Sequence, residues 1–423
     1  MIVRRRLLVS VCAAFLAILP VATHAEDWPE FRGPRGNGFT ADKNVPTEWS
    51  AMKNVRWQTP LEGKGNGSPI VSSGRVFLTT ALDDGAKRTL HCFDRRDGKQ
   101  LWERTVEWKA DEPTHNTNPY AATTPAADGK RVVVWHGSAG LCCYDFEGEE
   151  LWKQDLGEFI HIWGYGTSPV LHEGKVLLNT GPGKDRSFVA AFALDDGKQL
   201  WRSDESLDET AQRRGYHGSW STPNVVKIDG QDRVLCSMPG QVKCYDIDTG
   251  DVLWHCGGLN PLVYTSIIPG DGFGVAMGGY KGPAIGFRYG GEGDVTETNR
   301  LWRVETGNPQ RIGTGVLVGD FIYMANDGPG VIQCIEARTG REVWRERLPG
   351  GNAWASIVAT GDGLLYATSQ GVSTTVFRPD PEKFDVVATN RLPGRTNATP
   401  AVSDSEIFLR TDDALYCIAA ARE

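Results

Sequence analysis

The sequence predicts an all-β fold, an eight-bladed β-propeller of four-stranded antiparallel blades, from two repeated patterns. The first is the stretch Cys244–Trp254, CYDIDTGDVLW, which recurs at Cys92–Trp102, Ala191–Trp201 and Cys334–Trp344 and, one residue shorter, at Cys143–Trp152. The second is a Ser-Pro or Thr-Pro pair before an apolar run. Self-similarity at a period of roughly 40–50 residues is typical of propellers.

Each copy of the first pattern predicts a strand, a tight turn and a second strand. The Asp can hydrogen-bond to its own backbone two residues on, and the Gly supplies the positive φ that the turn requires. The Trp then falls on the outer strand of the blade, where its large ring can pack against a neighbouring unit.

The second pattern predicts where each blade begins. The predicted first strands start near Ser68, Thr124, Ser168, Thr222, Thr265, Gly313, Ala355 and Thr399. The fifth blade is rich in Gly and the seventh lacks the Trp, so seven blades is the alternative count.

The two ends of the chain complement each other. Asn54–Leu61, NVRWQTPL, has the pattern of a last blade strand with no blade before it, whereas Asn397–Ala419 has the pattern of a blade that lacks its last strand. We therefore expect the N-terminal strand to pair with the C-terminal strands. Such closure would protect two sheet edges that otherwise invite aggregation.

The repeat resembles that of the PQQ-like β-propeller proteins, the superfamily of quinoprotein alcohol dehydrogenase-like and BamB-like proteins. In that family a related motif with Ala at its first position docks each blade on the next, whereas four copies here have Cys. The resemblance implies docking roles for Trp102, Trp152, Trp201, Trp254 and Trp344 and for Gly98, Gly148, Gly197, Gly250 and Gly340. Proteins with this fold include both enzymes and scaffolds, so the fold alone does not identify the function.

Three regions are predicted along the chain. Residues 1–25 have the basic start, short apolar run and small-residue end of a secretory signal peptide. Residues 26–53 predict an extended N-terminal cap on the ring, anchored by Trp28, Phe31 and Trp49, and its WPEFRGP opening is similar to that of exported PQQ-like proteins of planctomycete type. Residues 54–423 are predicted to form the propeller.

These features predict an exported monomer, periplasmic or extracellular, with no stable membrane anchor; an uncleaved signal anchor is the alternative. The net charge of -8 and the absence of a basic run argue against a nucleic-acid partner. Cysteines at the same repeat position predict small buried thiols. For the adjacent Cys142 and Cys143, a vicinal disulfide like that of quinone-dependent dehydrogenases is the less favoured alternative.

The segments from each outer strand to the next inner strand gather at one mouth of a propeller's channel. Here they carry aromatic, amide, His and Arg side chains, which suit a planar polar ligand or a peptide. The predicted ligand-binding residues are Asn66, His115, Asn118, Tyr120, His161, Trp163, Tyr165, His217, Trp220, Tyr264, Arg311, Asn352, Trp354, Arg395 and Asn397.

The favoured functional prediction is a non-catalytic propeller that binds a protein, peptide or glycan at this mouth, with no catalytic residue, metal or cofactor. The alternative is a PQQ- and calcium-dependent dehydrogenase of alcohols or sugars. A dehydrogenase needs carboxylate ligands for Ca²⁺ and an Asp base, and these segments contain almost no acids. A third and less favoured hypothesis is a hydrolase that uses His161 and His217 from the same segments.

Overall fold

The computed structural model describes residues 26–109, 112–183, 186–205 and 217–420. The predicted signal peptide, residues 1–25, lies outside them. The described chain forms eight antiparallel blades around a channel, which confirms the eight-bladed prediction and sets aside the seven-bladed alternative.

The first half of the ring contains four blades. Strand β1 (Val55–Pro60) precedes blade 1, which comprises β2 (Ile70–Ser72), β3 (Arg75–Leu82), β4 (Lys87–Asp94) and β5 (Gln100–Glu107). Blade 2 comprises β6 (Ala126–Ala127), β7 (Arg131–Trp135), β8 (Leu141–Asp145) and β9 (Glu150–Gln154). Blade 3 comprises β10 (Val170–His172), β11 (Lys175–Asn179), β12 (Phe188–Ala193) and β13 (Gln199–Asp204). After β14 (Gly218–Ser219), blade 4 comprises β15 (Asn224–Ile228), β16 (Gln231–Met238), β17 (Gln241–Asp246) and β18 (Val252–Gly257).

The second half begins with β19 (Leu262–Val263), which pairs with β14. Blade 5 comprises β20 (Ile268–Gly270), β21 (Phe273–Met277), β22 (Ala284–Arg288) and β24 (Arg300–Val304), while β23 (Gly293–Asp294) adds a fifth strand to blade 4. Blade 6 comprises β25 (Val316–Val318), β26 (Phe321–Ala325), β27 (Val331–Glu336) and β28 (Glu342–Arg347). Blade 7 comprises β29 (Val358–Ala359), β30 (Leu365–Thr368), β31 (Ser373–Arg378) and β32 (Asp385–Arg391). Blade 8 comprises β33 (Ala401–Ser403), β34 (Glu406–Arg410) and β35 (Ala414–Ile418) with β1. The described helices are α1 (Thr296–Asn299) and two 3₁₀ turns, Asp83–Gly85 and Gly137–Ala139.

Ring closure follows the prediction. Strand β1 pairs antiparallel with β35, so one blade is built from both ends of the chain. Trp57 lies opposite Cys417 in this pairing, as Trp102 lies opposite Cys92 within blade 1. The position opposite the indole must be small: in blade 5 it is Gly286, where a Cβ would lie 2.2 Å from the indole nitrogen of Trp302. This crowding explains why blade 5 carries Gly where the other copies carry the small residues Cys or Ala.

Five indoles contact the glycine of the following blade rather than the glycine of their own repeat. The ring of Trp102 lies against Gly148, where a Cβ would come within 2.8 Å of it, and its N–H donates to the Phe146 carbonyl at 2.7 Å. The same arrangement joins Trp57 to Gly98, Trp152 to Gly197, Trp201 to Gly250 and Trp302 to Gly340. Trp57 and Trp302 were not among the predicted docking residues.

The other two predicted indoles face blades that lack this glycine turn. Trp254 packs against Phe287 of blade 5 at 6.1 Å between ring centroids. Trp344 donates its N–H to the Asp380 carbonyl of blade 7 at 3.0 Å and lies 5.7 Å from the Phe384 ring. The blades with divergent sequences therefore receive the indole on an aromatic surface.

A closed belt of hydroxyl groups surrounds the channel. In each blade the backbone N–H of the residue two positions before the first strand donates to a Ser or Thr hydroxyl at the same position in the next blade. The belt passes through Ser68, Thr124, Ser168, Thr222, Ser266, Thr314, Ser356 and Thr399 and returns to Ser68. In blades 5 to 7 these residues lie one position after the predicted starts. The belt satisfies backbone donors that would otherwise be buried without partners.

The cysteines lie in the cores between blades. All eight in the described chain are free and buried, which confirms the core thiols. Successive residues of a strand face opposite sides, so Cys142 packs in the core between blades 1 and 2 while Cys143 packs in the core between blades 2 and 3. This alternation explains why the adjacent thiols do not form a vicinal disulfide.

The N-terminal segment crosses the end of the channel beyond the belt. Trp28 exchanges two backbone hydrogen bonds with Val71 of blade 1, and Trp49 stacks on Tyr366 of blade 7 at 6.4 Å. Between them, the buried Arg32 donates to the carbonyls of Thr314 and Gly315 in blade 6, at 2.9 and 2.8 Å. The segment therefore closes this end of the channel.

We expect Glu30 to make the stability of the folded chain depend on pH. Its buried carboxylate accepts the Leu171 N–H at 3.2 Å, and burial raises the pKa of Glu30 to about 8. The folded chain then holds this proton more tightly than the unfolded chain, so stability falls by up to about 1.4 kcal/mol per pH unit between the ordinary glutamate pKa and about 8. We expect Glu30→Gln to remove this slope and to be more stable than the wild type at pH 8.

Urea unfolding of both proteins at pH 5 and pH 8 measures the effect. At pH 5 the two free energies of unfolding should nearly coincide, because Glu30 is then protonated in the folded wild type. If the gap between the proteins is the same at both pH values, the carboxylate is not the source of the pH dependence.

Candidate functional site

A cavity of about 420 Å³ lies at the open mouth of the channel. Eight of the predicted ligand-binding residues line it: Asn66, His115, Asn118, Trp163, Trp220, Tyr264, Trp354 and Asn397. Belt residues such as Ser68 and Thr314 line it deeper in the channel, and Phe31 reaches it from the N-terminal cap. We call this space the mouth cavity.

One side of the mouth cavity is an aromatic wall formed by Trp163, Trp220, Tyr264 and Tyr280. Trp163 stacks on Tyr280 with ring centroids 5.8 Å apart and planes 8° apart. Trp220 meets Tyr264 edge to face at 5.3 Å, and its N–H donates to the Gly164 carbonyl at 3.0 Å. The outer ring, Tyr280, is 56% exposed, so the wall presents an apolar surface to solvent. Such exposed aromatic surface is typical of binding sites.

A chain of amide side chains runs along the mouth, and three of its members, Asn66, Asn118 and Asn397, line the cavity. Gln370 donates to Asn397 at 2.8 Å, Asn397 donates to Asn66 at 3.1 Å, and Asn66 donates to Asn118 at 3.3 Å. Asn118 in turn donates to the carbonyls of Trp163 and Tyr165, at 2.7 and 3.0 Å. The chain connects the loops of adjacent blades and ends beneath the aromatic wall, so it fixes the shape of the mouth.

Three more predicted residues lie behind the wall. His161 is buried and contacts Trp220 edge to face at 5.0 Å. Tyr120 and Tyr165 lie on the buried Arg88, each with its ring centre 5.3 Å from the guanidinium carbon. None of the three lines the cavity: His161 supports the wall, whereas Tyr120 and Tyr165 pack around Arg88.

An ion pair between Arg88 and Glu112 holds this region together. Both side chains are buried, and Arg88 also donates to the carbonyls of Gly85 and His136. Burial raises the pKa of Glu112 even with the Arg88 guanidinium beside it. Glu112, one of the few acids in the mouth segments, is therefore committed to a structural pair and is not placed as a calcium ligand.

Four predicted residues lie elsewhere. His217 lines a small separate pocket beside Pro182, and Arg311 projects into a cavity between blades 5 and 6. Asn352 and Arg395 are exposed and do not line the mouth cavity. The neighbours Gln310 and Ile312 line the mouth instead of Arg311, because alternate residues of an extended segment face opposite sides.

Sequence reasoning missed two sources of lining residues. Tyr280 and Asp327 come from the loops between the second and third strands of blades 5 and 6. In an antiparallel blade these loops open on the same face as the loops that were considered, so strand order alone could have identified them. Phe31 reaches the cavity through the path of the N-terminal cap, which no local pattern indicates.

The lining does not fit the cofactors of the alternative prediction. Calcium requires several oxygen ligands with carboxylates among them, and Asp327 is the only carboxylate among the described lining residues. PQQ is itself a polycarboxylate, yet this lining contains no Lys or Arg. Within the described chain, one group has metal-ligand spacing, His172, Glu173 and Asp232. It lies outside the mouth, and Lys227 already pairs with Asp232 at 2.9 Å.

The described part of the chain contains no helix with the length and apolar character needed to cross a membrane.

Sequence comparison identifies a matching family. The family model described as outer membrane protein assembly factor BamB matches residues 35–115, 86–328, 291–371 and 328–422. The outer membrane protein assembly factor BamB of Burkholderia pseudomallei is 22% identical over 390 residues, covering 80% of this chain and 92% of the relative.

Structure comparison finds several solved structures that are similar to this chain over most of its length. BamB from Moraxella catarrhalis superposes with a TM-score of 0.59 at 12% identity, over 86% of this chain and 97% of that protein. The quinohemoprotein alcohol dehydrogenase of Comamonas testosteroni has a TM-score of 0.61 at 12% identity, over 94% of this chain and 81% of the enzyme. Sqt1 of Saccharomyces cerevisiae has a TM-score of 0.60 at 9% identity, over 87% of this chain and all of that protein. At these identities the likeness is one of fold.

Proposed function

This chain belongs to the family described as outer membrane protein assembly factor BamB, and from that membership we propose that it is an exported, non-catalytic scaffold that binds a segment of a partner protein in its mouth cavity. The observation that carries the proposal is the aromatic-walled cavity at the open mouth of the channel. The cavity has the size of a site for a few side chains and is closed behind by the N-terminal cap.

The chemistry of the lining supports a peptide segment. An aromatic wall favours apolar or aromatic side chains, and the facing amides of Asn66, Asn118 and Asn397 suit the polar backbone of an extended peptide. The described lining residues include one carboxylate, that of Asp327, and no Lys or Arg. We therefore propose an uncharged or weakly basic segment.

The rigidity of the site also favours binding. The hydroxyl belt and the amide chain fix the mouth before a ligand arrives, and Arg88 anchors the loops behind the aromatic wall. A preformed site loses little conformational entropy on binding. This arrangement supports a recognition surface, and the scarcity of acids and cations in the lining gives no support to the dehydrogenase alternative.

The double variant Trp163→Ala/Trp220→Ala tests the proposal. We expect it to bind the partner at least about 30-fold more weakly, because aromatic anchors at the centre of an interface often contribute 2 kcal/mol or more each. The protein is immobilised, partners are captured from the native envelope fraction and identified by mass spectrometry, and affinities are measured with the purified partner.

The matched control is Leu101→Ala/Leu151→Ala, which removes two exposed leucines from outer strands far from the mouth. It should retain the partner. Protease treatment of the extract before capture should abolish binding, whereas survival of binding would indicate a glycan. Equal capture by the mouth variant and the wild type contradicts the proposal.

A further inference from the structure

The residue two positions before each member of the hydroxyl belt lines the mouth cavity in all eight blades. From blade 5 to blade 7 these positions hold Tyr264, Ile312 and Trp354. The sector of blade 6 is therefore bordered by an aromatic residue on each side. Tyr280, from a loop of the neighbouring blade 5, adds a third aromatic ring to the lining.

Asp327 contributes the carboxylate of the mouth cavity from this sector. It lies in the loop between β26 and β27 of blade 6 and is partly buried. Its backbone pairs with Gln310, whose carbonyl accepts the Asp327 N–H at 2.9 Å. The preceding Asn326 is fully buried, and its amide donates to the Met324 carbonyl at 3.1 Å. These contacts hold Asp327 at the mouth.

The carboxylate of Asp327 has no counter-charge within the described chain. Among the residues that the structure describes, its side chain forms neither an ion pair nor a hydrogen bond, and the cavity lining contains no Lys or Arg. Two other acids of blade 6 are paired, Glu336 with Arg341 at 3.2 Å and Glu342 with Arg345 at 2.7 Å. The negative charge at the mouth is therefore available to a cation from outside the chain.

The opposite side of the cavity leaves room for a long side chain. Blade 2 lies across the ring from blade 6, and the lining positions of blades 2 and 3 hold the small residues Ala122 and Gly166. The amides of Asn66 and Asn397 adjoin this side from blades 1 and 8, and they connect to each other by a hydrogen bond of 3.1 Å. A segment that places a side chain towards blade 6 can therefore lie with its backbone beside these amides.

We propose that the mouth cavity selects a partner segment with a basic side chain, Lys or Arg, whose cationic group pairs with Asp327. This inference rests on the proposed function and specifies the segment that the cavity binds. The cation would lie in the sector bordered by Tyr264, Tyr280 and Trp354, and aromatic faces attract cations. The rings also offer apolar surface to the methylene groups of such a side chain. A metal ion would require more oxygen ligands than this one carboxylate.

Two peptides test this inference, acetyl-Gly-Phe-Lys-Gly-amide and the same peptide with norleucine in place of lysine. Norleucine keeps the four-carbon side chain without the charge, and the blocked ends add no charge of their own. Isothermal calorimetry with the full chain measures both affinities. At low ionic strength we expect the wild type to bind the lysine peptide at least about fivefold more tightly. The difference should shrink as salt is added, because ions screen a partly exposed pair. Asp327→Asn should bind both peptides with equal affinity.

Asp320→Asn is the matched control, since it removes the same charge from the same blade. Asp320 lies in the turn between β25 and β26, which opens on the opposite face of the ring, so this variant should keep the preference for the lysine peptide. Equal affinity of the wild type for the two peptides, no saturable binding of the lysine peptide, or a preference that survives in Asp327→Asn overturns the inference. If partner capture still depends on Trp163 and Trp220 in that case, the mouth binds a segment and only the recognition of charge is wrong.

Discussion

Replacing Arg88 with methionine will lower the free energy of unfolding by about 3–5 kcal/mol, because it leaves Glu112 buried without its partner. Both members of this pair are buried, and burial raises the pKa of Glu112 even when Arg88 is present. Without the guanidinium, the pKa of Glu112 rises further. The folded variant then holds a proton that the unfolded chain has released. The loss in free energy of unfolding relative to the wild type should therefore grow as the pH rises above the ordinary glutamate range.

Urea unfolding followed by tryptophan fluorescence measures this loss at several pH values. Arg96→Met is the matched control, since Arg96 pairs with Asp94 on the surface with 87% of its side chain exposed. Surface pairs contribute about 0–1 kcal/mol. The double variant Arg88→Met/Glu112→Leu should recover much of the loss. If Arg88→Met lowers the free energy of unfolding no more than Arg96→Met does, the ion pair of Arg88 and Glu112 does not anchor the mouth loops.

Trp57→Ala will lower the free energy of unfolding by about 3–5 kcal/mol, the usual cost of removing a buried indole. Trp57 lies in the strand that closes the ring and packs against Phe408, and its N–H donates to the Arg95 carbonyl of blade 1 at 2.9 Å. Its loss therefore weakens the seam between β1 and β35 and the contact between blades 8 and 1.

Trp201→Ala removes an indole in the same environment but within the continuous part of the ring. We expect similar equilibrium losses from the two variants and a difference in where the protein opens. Amides of β1 and β35 should exchange with deuterium faster in Trp57→Ala than in Trp201→Ala. Equal exchange at this seam in both variants would contradict the closing role of Trp57.

The sequence patterns predicted the ring because its chemistry repeats. A small residue opposite an indole and a Gly in the turn that receives an indole are local requirements, so they recur in most of the blades. The Trp57 strand could be recognised for the same reason, as a last strand without a blade. The hydroxyl belt was visible only as a Ser or Thr before the first strand, and its closed hydrogen bonding required the ring.

The binding site was less predictable from the sequence, because it depends on the direction in which each side chain points and on contacts between distant parts of the chain. Gln310, Arg311 and Ile312 share one segment, yet Arg311 faces another cavity. Arg32 binds carbonyls of blade 6 from the other end of the chain, and this long-range contact determines how Phe31 reaches the mouth. Neither feature is encoded in spacing or composition.

Hydrogen exchange on the complex with the captured partner tests the role of the mouth most directly. The account predicts slower exchange in the loops at residues 115–118, 163–166 and 278–282, which contribute to the mouth cavity, with little change in the outer strands of the blades. Protection confined to outer strands such as β5 and β9, with these loops unchanged, would contradict it.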